Sequence, residues 1–158
     1  MKTSILRTLL VLGVVLAATL VPFQANAAQC STASTAGNWA YTYTGTIFTP
    51  AGPLPAASVG HFHQDAGGNI AGSQTRSVAG QSGVEDISGT ISVNSDCTAS
   101  LTIKVLVNEH LQRTAALAAV FDLSGNHVRV IFQSLTLPDG TNVPVVITID
   151  GNRVTSRN

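Results

Sequence analysis

From residue 38 to residue 150 the chain alternates apolar and polar side chains, interrupted by short clusters of Gly, Pro, Asn, Asp and Ser. A period of two sends successive side chains to opposite faces of a strand, and closely recurring turn clusters mark an all-β domain. The interruptions predict strands at 38–48, 58–65, 70–78, 84–93, 97–107, 113–122, 127–137 and 142–150. Between the first two, Thr49 to Ala57 carries Pro50, Pro53 and Pro55 and reads as a loop; the later connections fall at 66–69, 79–83, 94–96, 108–112, 124–126 and 138–141, with 151–158 as a tail. Only 111–123 is ambiguous. Its alanines favour a helix, but Val120-Phe121 and the Ser124-Gly125-Asn126 turn directly behind favour a strand. Sequential strands with short turns form an up-and-down meander, and closing it removes the exposed edges. The expected fold is therefore an eight-stranded antiparallel β-barrel.

The segment before the strands has a different character. Lys2 and Arg7, then the apolar run from Leu9 to Val21, then Ala25-Asn26-Ala27 read as a secretory signal with its cleavage site, leaving 28–158 as a single domain. The run is too short for a stable membrane span, which needs roughly 20 residues, and no second one follows. Gln29 before Cys30 argues against a lipid-modified cysteine. Once Lys2 and Arg7 are set aside, six of the eight Lys and Arg remain against eight Asp and Glu. That balance lacks the basic footprint of a nucleic-acid binder. Export places Cys30 and Cys97 in an oxidising compartment, where a disulfide between them is expected; the alternatives are free or intermolecular thiols. Neither cysteine has the nearby Cys or His partners of a metal site.

Barrel parity gives the cysteines a test. The starts of the first and fifth strands share one rim, on opposite sides of the wall. Residues 28–37 would then cross beneath the barrel and close that end, leaving the prolines of 49–57 to frame the more open mouth.

Gly37-Asn38-Trp39, a G-x-W opening the first strand of such a meander, resembles the lipocalins and, with a cysteine before it, avidin. The lipocalin resemblance implies an arginine from beyond the last strand stacked on that tryptophan, here Arg153 on Trp39. Asp122 alone matches the second lipocalin motif, no C-terminal helix pattern follows, and no avidin-like biotin signature is found. The chain from Cys30-Ser31 through Gly60 and Gly72 to Ser92–Leu101 is similar to a family of small secreted bacterial proteins of unknown function. This resemblance implies a calycin-like barrel and no activity.

Hairpin arithmetic then sorts the faces. Phe121 should oppose Val128, Ala119 Val130 and Leu117 Phe132, with Phe132 facing Ile147 and Val130 Ile149, all on one apolar inner face. Trp39, Tyr41, Tyr43 and Ile47 should join them, with Leu101, Ile103, Val105 and Val107. In the second to fourth strands the arithmetic groups His61, His63, Gln74, Arg76, Asp86 and Ser88 on one face. Gly60, Phe62, Ala71, Ser73, Thr75, Ser77, Ile87 and Ile91 fall on the other. Turning the first set inward would make His61 and His63 an i, i+2 imidazole pair for a metal, or for acid–base work with Asp86. Turning the second inward avoids burying Arg76 and Asp86, which costs several kcal/mol even when paired, and is the expected arrangement. The H-x-H also lacks a well-spaced third ligand.

The candidate ligand site is then a cavity lined by Trp39, Tyr41, Tyr43, Phe62 and Phe132, with Ser73, Thr75 and Ser134 supplying hydrogen bonds. A tightly filled core is the competing outcome. No cofactor is expected. No G-x-S-x-G or H-E-x-x-H motif is present, and the adjacent Glu85 and Asp86 point to opposite faces, so an enzyme is disfavoured. The expected function is binding of a small, partly apolar molecule. The alternative is an interaction module or homo-oligomer acting through an outward apolar strip of Ala116, Ala118, Val120, Ile131, Leu135 and Val146.

Overall fold

The computed structural model describes residues 30–154; the expected signal at 1–27 lies outside them. Eight strands follow one another: β1 (Gly37–Thr49), β2 (Gly52–Gln64), β3 (Asn69–Val78), β4 (Gln81–Val93), β5 (Thr98–Val107), β6 (His110–Phe121), β7 (His127–Thr136) and β8 (Val145–Arg153). Each pairs antiparallel with the next, and β8 returns to β1 to close the barrel. The ambiguous 111–123 region is strand through Phe121.

Several connections are shorter than the sequence suggests. The proline-rich stretch 49–57 is not a loop: Thr49 pairs with Gly52, and β2 runs from there. That two-residue closure makes alternate pairs hydrogen-bonded, so Pro53 and Pro55 direct their nitrogens away from β1. On that side β3 begins to pair only at Ala56, and the missing N–H groups lose no partner. The 79–83 and 108–112 connections contract to two residues each. Ala79 and Gly80 have φ of 48° and 84°, and Asn108 and Glu109 have 51° and 67°, the double positive φ of hairpin turns that match strand twist. His110 therefore opens β6 instead of lying in a loop. At the far end, β8 begins at Val145 and continues through Arg153, where a tail was expected; Asn142 makes only an isolated bridge to Thr136.

The two ends differ. Cys30 and Cys97 are joined by a disulfide, and the segment between Cys30 and β1 crosses the end of the barrel as barrel parity requires. The Thr32 hydroxyl accepts from the Val93 N–H, and Gln64 Nε2 donates to the Thr32 carbonyl and the Thr35 hydroxyl. Above this plug, Trp39 donates from Nε1 to the Thr35 carbonyl at 3.1 Å, stacks on Phe62 and meets Phe121 edge-on. Arg153 lies over the Trp39 ring, 5.5 Å from its centroid, and donates to the Ser34 carbonyl. The arrangement matches the one implied by the lipocalin resemblance.

Candidate functional site

The registers of β5 to β8 carry the apolar inner face as expected, with Phe121 opposite Val128, Ala119 opposite Val130, Leu117 opposite Phe132 and Val130 opposite Ile149. A bulge between Ala116 and Leu117 then resets the parity of β7, pairing Ser134 with Ala116 and Leu135 with Ala115. One extra residue reverses every side chain beyond it. Ser134 accordingly leaves the interior, and Leu135, expected on the outer strip, is buried in the core.

β2 and β4 present the expected faces, but β3 is inverted between them. The β2–β3 connection, Asp65 to Gly68, closes with Gln64 opposite Ile70, and its Gly68 has φ of 87°. The β3–β4 turn pairs Val78 with Gln81. Each pairing differs in parity from the expected one, so the two differences cancel on β4 and survive on β3. Ala71, Ser73, Thr75 and Ser77 therefore face outward, and Ser73 and Thr75 are not in the cavity. Ile70, Gly72, Gln74, Arg76 and Val78 face inward instead, opposite Gly89, Ile87, Glu85, Gly83 and Gln81. His61 and His63 are exposed on the outer wall, His63 in contact with Asn38 through its Nδ1. Asp86 is outward as well. Among the described residues no group of three or more His, Cys, Asp or Glu stands where a metal could be held.

The inner faces enclose a cavity of about 220 Å³. Trp39, Tyr41, Tyr43, Phe62 and Phe132 line it, as the sequence predicts, with a predominantly aliphatic remainder that includes Ile87, Ile103, Val105 and Ile147. Leu137 and Val143 from the β7–β8 connection complete it towards the mouth.

One side of this apolar space is charged. Glu85, whose side chain is only 2% exposed, is held by two arginines, Arg113 at 16% and Arg76 at 35%. Arg113 binds it in bidentate fashion, Nη1 donating to Oε1 at 2.8 Å and Nη2 to Oε2 at 2.5 Å; Arg76 adds Nε to Oε1 at 2.5 Å. Gln74 donates from Nε2 to Oε2 at 2.8 Å, and its own Oε1 accepts from Tyr41 at 2.8 Å and Ser58 at 3.3 Å. Gly60 makes this reach feasible, since a Cβ there would lie 2.7 Å from the Tyr41 ring and hydroxyl. Burial pushes the Glu85 carboxyl upward, but the hydrogen bonds and charge of Arg113, with Gln74 and Arg76, outweigh it and hold the group below its ordinary value. Tyr41 is pushed far above the ordinary phenol range by burial, with Tyr43 and Glu85 adding to the rise. Burial also raises Tyr43, against the positive charge of Arg113. Both phenols are neutral at physiological pH, so this side of the cavity contains one negative and two positive groups.

Sequence reasoning missed Gln74, Arg76, Glu85, Arg113 and Ser58 as interior groups. The available signal was Glu85, which shares the parity of the inward Ile87 and so required a cationic partner inside.

No family model matches the chain, and no curated protein does. Similar solved structures include the following two. One, described as EF1p2_mFAP2b bound to DFHBI, has a TM-score of 0.51 and 13% identity over 77% of this chain and 94% of that one. The likeness is one of fold. The other, the S-type phycobiliprotein lyase CPES from Guillardia theta, has a TM-score of 0.44 and 10% identity, covering 85% and 99% of the two chains. The closed eight-stranded barrel fits a calycin-like fold.

Proposed function

We propose that the protein is a secreted, non-catalytic binder of a small, partly apolar molecule held inside the barrel. The cavity carries this reading: about 220 Å³ of largely apolar space with its charged groups confined to one side, in a barrel plugged at one end. An engineered apolar cavity of roughly 150 Å³ is enough for benzene, so a single ring or a short acyl chain suits the volume. A similar barrel is described bound to the small molecule DFHBI, which is consistent with the reading. The disulfide suits an oxidising compartment. Binding without chemistry is favoured by the state of Glu85, because a carboxylate with lowered proton affinity and four donors on it makes a poor general base.

A second reading is supported by the outer wall, where Val120, Ile131 and Val146 are 56%, 49% and 60% exposed and suit a contact between copies. Native mass spectrometry of the protein purified from an exporting host separates the two. A co-purifying small molecule on the monomer is expected; a ligand-free discrete oligomer would favour the second reading, and a bare monomer that also fails to bind added small apolar molecules would overturn the first.

A further inference from the structure

Glu85 accepts from four donors: Arg113 Nη1 and Nη2, Arg76 Nε and Gln74 Nε2. Two carboxylate oxygens offer about four lone-pair sites, so Glu85 has no capacity left. The Gln74 carbonyl is also engaged, by Tyr41 and Ser58. What remains is one-sided. Nη1 and Nη2 of Arg76 make no hydrogen bond to any described residue, and Arg76 lines the cavity towards its mouth. Around the cavity the ionisable groups are Arg76 and Arg113 against Glu85, with Tyr41 and Tyr43 neutral, which leaves one positive charge uncompensated there; Arg153 shares the inward parity but lies beyond Trp39 at the plugged end, on the Ser34 carbonyl. The acids in the connections at the mouth, Glu109 in the β5–β6 turn and Asp139 in the β7–β8 connection, are exposed. Asp139 turns its carboxylate to the Thr141 N–H.

A low-dielectric cavity with a single unbalanced cation and two free, coplanar donors matches a planar monoanion. A guanidinium edge fits a carboxylate in the bidentate manner, and a dianion such as a phosphate monoester would leave negative charge over in the apolar space. We infer that the ligand is an amphipathic carboxylic acid, its carboxylate on the free edge of Arg76 and its apolar part among Phe62, Ile87, Ile103, Phe132 and Ile147. The inference rests on the reading of the barrel as a binder and names the chemical class of its ligand. Arg76 anchors the head group, and Arg113, committed to Glu85, supplies charge from behind.

The test compares octanoate with octan-1-ol, equal in chain length and unlike in charge, by isothermal titration at neutral pH. Wild-type protein is expected to prefer octanoate by at least about tenfold, the ratio that corresponds to 1.4 kcal/mol. Arg76→Met, which keeps the length and apolar stem, is expected to remove that preference and still bind octan-1-ol. Equal or tighter wild-type binding of octan-1-ol would overturn the carboxylate inference and leave the binder standing. An undiminished preference in Arg76→Met would overturn the assignment to Arg76. Binding of neither probe at millimolar concentration would overturn the binder reading, and the inference with it.

Discussion

Removing the charge of Glu85 strands two arginines inside the barrel, and the cost follows from their exposure. Breaking a buried ion pair by losing one partner costs roughly 3–5 kcal/mol. Arg113 is 16% exposed and has little room to find water, whereas Arg76 at 35% is able to turn towards the mouth, so Glu85→Gln belongs at the lower end, about 3 kcal/mol. For a domain of this size that corresponds to a fall in Tm of roughly 10 °C. Urea and thermal unfolding followed by far-ultraviolet circular dichroism measure it. Asp86→Asn is the matched control: one residue away, outward and unpaired by any described side chain, it is expected to change stability by less than about 0.5 kcal/mol. Replacing all three charges together, as Glu85→Leu with Arg76→Met and Arg113→Met, is expected to recover most of the loss, because stranded charge causes it and missing volume does not. A Glu85→Gln protein as stable as Asp86→Asn would refute the inward register of β4, and a triple variant weaker than the single one would refute the electrostatic explanation.

Two further outcomes are expected. Tyr41 and Tyr43 are the only tyrosines of the chain, and both have raised pKa values through burial. The folded barrel holds the phenolic proton more tightly than the unfolded chain, so the stability from this source is present below the ordinary value of 10.0 and lost as pH rises above it. Phenolate absorbance near 295 nm should therefore appear together with the loss of circular dichroism; a reversible titration near pH 10 in folded protein would contradict the burial. For the disulfide, whose cysteines are 67 residues apart, the chain-entropy argument gives about 4 kcal/mol. Cys30→Ser with Cys97→Ser should lower unfolding free energy by up to that amount without changing the barrel's circular dichroism, and a loss under about 1 kcal/mol would show that the plug holds without its covalent tie.

Alternation and turn chemistry carried the architecture because both act locally. The inner faces of β1, β5, β6 and the paired half of β7 were legible from the apolar side chains themselves, since Trp39, Leu117 and Val130 have only one stable side to face. β3 carries such residues only at its two ends, Ile70 and Val78. Its Ala71, Gly72, Ser73 and Thr75 are small or hydroxylic on both faces, so its orientation depended on loop lengths, and a difference of a single residue in pairing parity reverses every side chain. Gln74 and Arg76 looked like outer-wall residues for the same reason: only the partner Glu85, brought opposite by register, makes their burial affordable. Ser134 moved outward through a bulge that no residue type announces. The histidines needed no such detail, because Phe62 between them settled which way they point.

The plug has a consequence in the order of events. In an exported chain Cys30 emerges first and Cys97 while β6 to β8 are still to come, yet β1 finds its second neighbour only when β8 has arrived. Until then the barrel has an open seam from end to end. A bond between Cys30 and Cys97 ties the segment ahead of β1 across the rim to the start of β5, so the half-delivered sheet would already be curled when the last strand arrives. On that schedule the disulfide contributes most before the fold is complete, by keeping the edge of β1 free for the right partner.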